Sequence, residues 1–171
     1  MSDSAMAVIA IFLAAILMFV VPLMAMADKK DDVSTLTVQS AVDDLTISIS
    51  NTGKLTKDQY DNFVQQLAAT TNSYDVEITV QILDENPAKK ETSIKQTIGD
   101  NVYYTLNTTQ VLERLNSGTL VLKEGDIVTI NAKNTNVTIG MQLRNFMYKV
   151  TGNNSSTITA TATRMVTTNG N

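Results

Sequence analysis

Residues Ala5–Ala27 read AMAVIAIFLAAILMFVVPLMAMA, twenty-three residues without a charge. As a helix this run is roughly 34 Å long at about 1.5 Å per residue, enough to cross the hydrocarbon core of a bilayer. Pro22 lies near its outer end. In a membrane helix it produces a kink rather than a break, because neighbouring groups satisfy the freed carbonyl. The run is compatible with a retained transmembrane helix. It is also compatible with a signal peptide cleaved after Ala27, since Ala25-Met26-Ala27 is an A-x-A pattern followed by Asp28. Retention is the expectation: only Asp3 precedes the run, with no Lys or Arg, and the run exceeds a signal-peptide core of about 7–15 residues. Cleavage would release a secreted binding or adhesion module instead.

In lipid, helices associate through close van der Waals contact at small residues. Ala10 and Ala14 stand four apart, as do Ala7 and Ile11. Ala7, Ala10, Ala14, Met18 and Pro22 are therefore the candidate assembly positions, and Ala25 and Ala27 the candidate processing site. The flank Asp28-Lys29-Lys30-Asp31-Asp32 mixes signs. A strict count of Lys and Arg would place it inside. The pair is small and faces no competing positive charge, so the short N-terminus is placed inside and the large domain outside.

The 144 residues after Ala27 amount to one ordinary domain. They are rich in Thr, Asn, Ser and Val, which suits strands and polar surfaces. The whole chain carries a net charge of −4, with all thirteen Lys and Arg after residue 28 and interspersed with acids. That distribution gives no basic stripe for nucleic acid. The absence of His and Cys excludes the usual zinc sites, Cys or His nucleophiles and disulfides.

Val38, Val42, Leu45 and Ile49 follow helical spacing, although Leu45, Ile47 and Ile49 also alternate like a strand. A helix continuing from the membrane segment is favoured, stopped by Asn51-Thr52-Gly53. Such an amphipathic stem would be able to pack laterally against copies of itself. Thr56 and Gln59 form a T-x-x-Q capping box, with Leu55 and Tyr60 placed as a hydrophobic staple, so a helix is predicted over 56–70. Residues 74–83 alternate strictly and predict a strand with one wet face. A turn at Asp84-Glu85-Asn86-Pro87 and a charged loop at Lys89-Lys90-Glu91 follow. A short strand at 101–106 and a helix from Thr109 to Asn116 come next. Thr119–Leu122 and Ile127–Ala132, joined by Lys123-Glu124-Gly125-Asp126, read as a hairpin. Residues 138–150 are helical by spacing, with Gly152 as the stop, and Thr157–Val166 alternates again. Thr167–Asn171 is expected to fray. The fold class is α+β: a transmembrane helix running into an amphipathic stem, then a small, mainly antiparallel sheet with short helices on one face. The segments are 1–4, a short N-terminus; 5–27, the transmembrane helix; 28–55, the stem; and 56–171, the extracytoplasmic domain.

Candidates for chemistry are few. Asp43 and Asp44 point in different directions on a helix and read as a solvated face. Asp75 and Glu77 share a strand face, but it is the wet one, with no Arg or cleft signal. Asp84, Glu85, Asn86 and Asp126 could offer oxygens to calcium, yet lack EF-hand spacing and suit turns equally well. Thr108 and Ser117 have no base to activate them, and Lys123 lies in a turn. The sequons at Asn107, Asn136, Asn153 and Asn154 matter only in a glycosylating pathway. Met6, Met18, Met24 and Met26 read as soft packing surface rather than copper ligands. No cofactor motif is present, and the chain reads as non-catalytic.

The order of apolar helix, amphipathic stem and small α+β head resembles pilin-like proteins. The segments Thr52-Gly53-Lys54-Leu55-Thr56 through Tyr60-Asp61-Asn62-Phe63, Thr70 through Tyr74-Asp75-Val76-Glu77, Leu83 to Pro87, and Lys123-Glu124-Gly125-Asp126-Ile127-Val128 look like the TadE-like minor pilins of bacterial tight-adherence pilus clusters. The resemblance implies a membrane-anchored subunit of a surface pilus or secretion apparatus. Its partners would be membrane lipid, other pilin-like subunits and copies of itself. Only Asp3 stands where pilins usually carry a Glu, so an accessory subunit not processed by a prepilin peptidase is implied.

Overall fold

The computed structural model describes residues 2–84, 103–151 and 157–170. Its longest element, α1, spans Ser2–Thr52 and runs through Pro22 without interruption. At about 1.5 Å per residue it is roughly 76 Å long. The second half of α1 is the spine of the core. Val38, Ala41, Val42, Leu45 and Ile49 are all buried, at the helical spacing read from the sequence.

The other elements follow in chain order: β1 (Lys54–Leu55), α2 (Lys57–Ala68), β2 (Tyr74–Leu83), β3 (Tyr103–Leu106), α3 (Thr108–Ser117), β4 (Leu120–Val121), β5 (Ile127–Asn134), α4 (Ile139–Thr151) and β6 (Thr159–Met165). Four strands form an antiparallel sheet in the order β3-β2-β5-β6. Its register aligns Ile78 with Ile130 and Ala162, and Val76 with Ala132 and Ala160. Side chains alternate across a strand, so these rows share the inner face. α1 crosses this face over β5 and β6, where Ala160 and Ala162 give it room to approach. Phe63 and Leu67 of α2 and Val111 and Leu115 of α3 join the same core. The class is α+β, with the long apolar helix followed by a small antiparallel sheet and short helices.

The opposite face is wet. Thr129 and Thr163 share a hydroxyl hydrogen bond of 2.9 Å across β5 and β6. Asn131 accepts from Thr161 and donates to Glu77.

Helix starts match the sequence signals. Gln59 N–H donates to Thr56 Oγ1 at 3.2 Å, and Thr56 N–H donates to Gln59 Oε1 at 2.8 Å. That is the reciprocal capping box, holding two donors that have no partner inside the helix. Burial, with the Asp61 carboxylate adding to it, raises the pKa of the Tyr60 hydroxyl above its ordinary value.

Two expectations are corrected. The hairpin of Thr119–Leu122 with Ile127–Ala132 does not form: β4 pairs with β1, while β5 lies between β2 and β6. The cause is Asp126, whose buried carboxylate accepts from Lys123 N–H at 2.8 Å and from Leu83 N–H at 2.9 Å, drawing the turn onto β2. The C-terminal segment is laced in rather than frayed. Thr167 N–H donates to Ser50 O, Gly170 N–H to Leu122 O, and Asn169 Oδ1 accepts from Glu124 N–H. The stem ends at Thr52, within the expected stop, where Gly53 adopts φ +64° and returns its N–H to Ile49 O at 2.8 Å. The turn at Glu85-Asn86-Pro87, the loop at Lys89-Lys90-Glu91 and the Gly152 stop lie outside the described residues.

Thr56→Ala removes one arm of the capping box and is expected to destabilise the head by about 1 kcal/mol, read as a lowered thermal midpoint of the full chain in detergent. Gly53→Ala is expected to cost more, at least about 1–2 kcal/mol for the left-handed backbone alone. A Cβ there would also collide with the backbone of Thr168 and Gly170. Equal midpoints for Gly53→Ala and the unaltered chain would contradict the packed C-terminal segment.

Candidate functional site

Most of the first half of α1 is exposed along its length. Phe12 and Phe19 are each 69% exposed and Met18 is 74% exposed. α1 contains a stretch long and apolar enough to cross a membrane. Ala7, Ala10, Ala14, Met18 and Pro22 are all exposed on it. Their spacings of three, four, four and four place them along one broad stripe of the helix. Ala25 extends that stripe.

Just past the apolar run the head returns to α1. Asp31 is only 7% exposed. Its Oδ2 accepts from Thr138 Oγ1 at 2.8 Å and from Arg144 Nη2 at 2.8 Å. The other arm of the Arg144 guanidinium, Nη1, donates to Asp28 Oδ1. One planar guanidinium from α4 thus bridges two carboxylates one helical turn apart on α1, a geometry that suits Arg and not Lys. The Thr138 hydroxyl also accepts from Met141 N–H, capping the start of α4. Gly140 makes the approach feasible, since a Cβ at that position would collide with the Asp31 carboxylate.

Below this clamp lies a cavity of about 400 Å³. Leu23, Met26, Ala27 and Lys30 of α1 line one side, with Val137 and Ile139 among the residues opposite. Ala27, the last residue of the A-x-A pattern, is therefore part of a packed junction.

The other singled-out residues do not converge on a reaction centre. Asp43 accepts from Gln39 Nε2 at 3.0 Å within α1, and Asp44 is exposed. Asp75 and Glu77 sit on the wet sheet face, Asp75 opposite Lys133. Asp126 is spent on backbone donors. Thr108 Oγ1 accepts from Ile78 N–H and donates to Ile78 O, fixing α3 to β2. Ser117 Oγ donates to Glu113 O. Asn107 is the N-cap of α3, and Asn136 accepts from Ser73 N–H while donating to Asn72. Glu85, Asn86, Asn153 and Asn154 lie outside the described residues. Among the described residues, no group of three His, Cys, Asp or Glu is placed to hold a metal ion.

Comparison with protein-family models, curated proteins and solved structures finds no match to this chain. What marks the site is its position: the only described Arg–carboxylate bridges lie where the apolar run ends. Sequence reasoning missed this clamp, because Arg144 lies 113 residues from Asp31. The available signal was a single Arg inside the apolar repeat of 138–150.

Arg144→Ala leaves a buried Asp31 carboxylate without its cation. A loss of about 3–5 kcal/mol is expected, seen as faster amide exchange in α4 and in the stem near Asp31. Asp28 is more than a third exposed, so Asp28→Ala is expected to cost about 1 kcal/mol or less after solvent screening. Equal effects of the two substitutions would refute the assignment of Asp31 as the buried partner.

Proposed function

We propose that this protein is a non-catalytic, membrane-anchored, pilin-like subunit of a bacterial surface pilus or secretion apparatus, with its head outside the cytoplasm. The observation that carries the reading is the division of labour along α1. One half of the helix presents large apolar side chains to its surroundings, and the other half is the core of the head. Apolar surface of that extent requires lipid or another apolar helix to cover it. A head built onto the continuation of its own anchor leaves no flexible linker between membrane and head, so position in the membrane is transmitted directly to the head. That rigidity suits a subunit that assembles with neighbours better than a tethered enzyme.

The stripe of Ala7, Ala10 and Ala14 supplies the close-approach surface for partner helices, whether from copies of this chain or from other pilin-like subunits. The stem is not available for the lateral packing its pattern suggested, because Val38, Val42, Leu45 and Ile49 are buried in the head. Association therefore falls to the apolar half. Orientation with the head outside is supported by the mixed flank, where Lys29 and Lys30 stand among three Asp, and by the weak dependence of long domains on flanking charge. The TadE-like resemblance points the same way.

The test is the intact mass of the protein from its native membranes, followed by oxidative crosslinking of an Ala10→Cys chain. Because the native chain has no Cys, any disulfide-linked species reports contact at that position. Full-length mass, less at most Met1, together with crosslinked species through Ala10→Cys supports the anchored-subunit reading. A mass beginning at Asp28 overturns it in favour of a released binding module.

A further inference from the structure

We infer that the membrane-proximal end of the head, centred on Val137 and Ile139, is a lipid-contact surface that seats the head in the outer face of the bilayer. The inference rests on the reading of α1 as a retained membrane helix and adds a second point of membrane contact to it. Val137 is 58% exposed and Ile139 is 69% exposed, and they come just after Thr135 and Asn136, whose side chains are hydrogen-bonded to Ser73 and Asn72. Their height along α1 is fixed by the clamp. Thr138 is bonded to Asp31, Arg144 to Asp28, and a Cβ on Gly140 would lie 3.4 Å from Ala27 O. Val137 and Ile139 line the cavity together with Leu23 and Met26. Leu23 lies roughly 7 Å from Asp28 toward the bilayer centre, at about 1.5 Å per residue. Two exposed aliphatic side chains of the head are thus held beside the last turns of the uncharged run.

Lipid is the occupant because the patch is continuous with the apolar surface of α1 itself. The uncharged run is about 4 Å longer than a hydrocarbon core of about 30 Å, so its final turn reaches the acyl–headgroup boundary. That is the depth at which interfacial apolar side chains settle, about 5–10 Å into the boundary. The belt above it spans residues 28–32, roughly 6 Å along the helix, a length comparable to one headgroup layer. Within it three carboxylates (Asp28, Asp31, Asp32) meet three cations (Lys29, Lys30, Arg144). The belt is balanced, so the contact is driven by apolar insertion and needs no anionic lipid. Val137 and Ile139 act as stops that fix the angle between head and bilayer, while the Arg144 clamp transmits that angle to α1.

The absence of native Cys makes the test direct. Single-cysteine full chains Ile139→Cys, Val121→Cys and Phe12→Cys are labelled with an environment-sensitive fluorophore and placed in phosphatidylcholine vesicles with or without brominated acyl chains. Val121 is a matched control: it is 50% exposed and pairs with Lys54 beyond the far end of α1. Quenching by brominated lipid is expected to be several-fold stronger at position 139 than at 121, and unchanged when phosphatidylglycerol replaces part of the phosphatidylcholine. Strong quenching at 12 with equal, weak quenching at 139 and 121 overturns the inference while leaving the anchor intact. Absence of quenching at 12 overturns the anchor reading and the inference with it. Protection at 139 that follows protein density rather than bromine assigns the patch to a second copy and also overturns it. A Val137→Cys label in an Ile139→Asp chain provides the second variant: its quenching is expected to fall below that of Val137→Cys alone, and no change overturns the insertion of Ile139.

Discussion

Val38, Val42, Leu45 and Ile49 form one stripe of α1, and the burial of that stripe against β5 and β6 organises the head. The stripe lies on the same uninterrupted helix as the apolar run, so the sheet is fastened to that helix by side-chain packing as well as by the chain. Ala160 and Ala162 on β6 are small where the helix crosses, and the larger Ile78, Val80 and Ile130 fill the space further in. Close packing of this kind resists small displacements, because each lost contact leaves atoms without partners. The second half of the helix is therefore held by the head that is built around it.

The chemistry of this helix changes within two turns. From Ala5 to Ala27 every side chain is uncharged; from Asp28 to Asp32 every side chain is charged. A buried carboxylate such as Asp31 carries a large desolvation cost unless its lone pairs are occupied. Thr138 and Arg144 occupy them, and the contact also draws α4 down onto the helix. Gly140 is the steric condition for this approach. Together these residues hold Val137 and Ile139 at the level of the apolar run, which is why the polar clamp and the exposed aliphatic pair belong to one junction.

Several residues that could carry reactivity are consumed by architecture. Asp126 accepts two backbone N–H groups and thereby moves β5 into the centre of the sheet. Thr108 satisfies both backbone groups of Ile78. The wet face of the sheet pairs Thr with Thr and Asn with Glu in a flat hydrogen-bonded array, with Asp75 and Glu77 side by side in open solvent rather than in a cleft. The reading of the protein as a structural subunit rests on how these groups are used, together with the exposed half of α1.

The sequence by itself determined what depends on neighbours along the chain. Uncharged length gave the membrane-competent half of α1, helical spacing gave the stem, Thr56 and Gln59 gave the start of α2, and strict alternation gave β2 and β6. Each is a local signal with a period of 3.6 or 2, or a cap of four residues. The tertiary structure alone decided what depends on distant partners. β4 and β5 are close in sequence and carry good turn residues between them, yet β4 joins β1, because the Asp126 carboxylate reaches the backbone of Leu83. The Thr- and Asn-rich C-terminal segment looks free until Ser50, Leu122 and Glu124 supply its hydrogen bonds. Arg144 looks like a lone charge in an apolar repeat until α1 brings Asp28 and Asp31 to it. In each case the deciding energy is a polar group satisfied across 40 residues or more, and no local pattern encodes that closure.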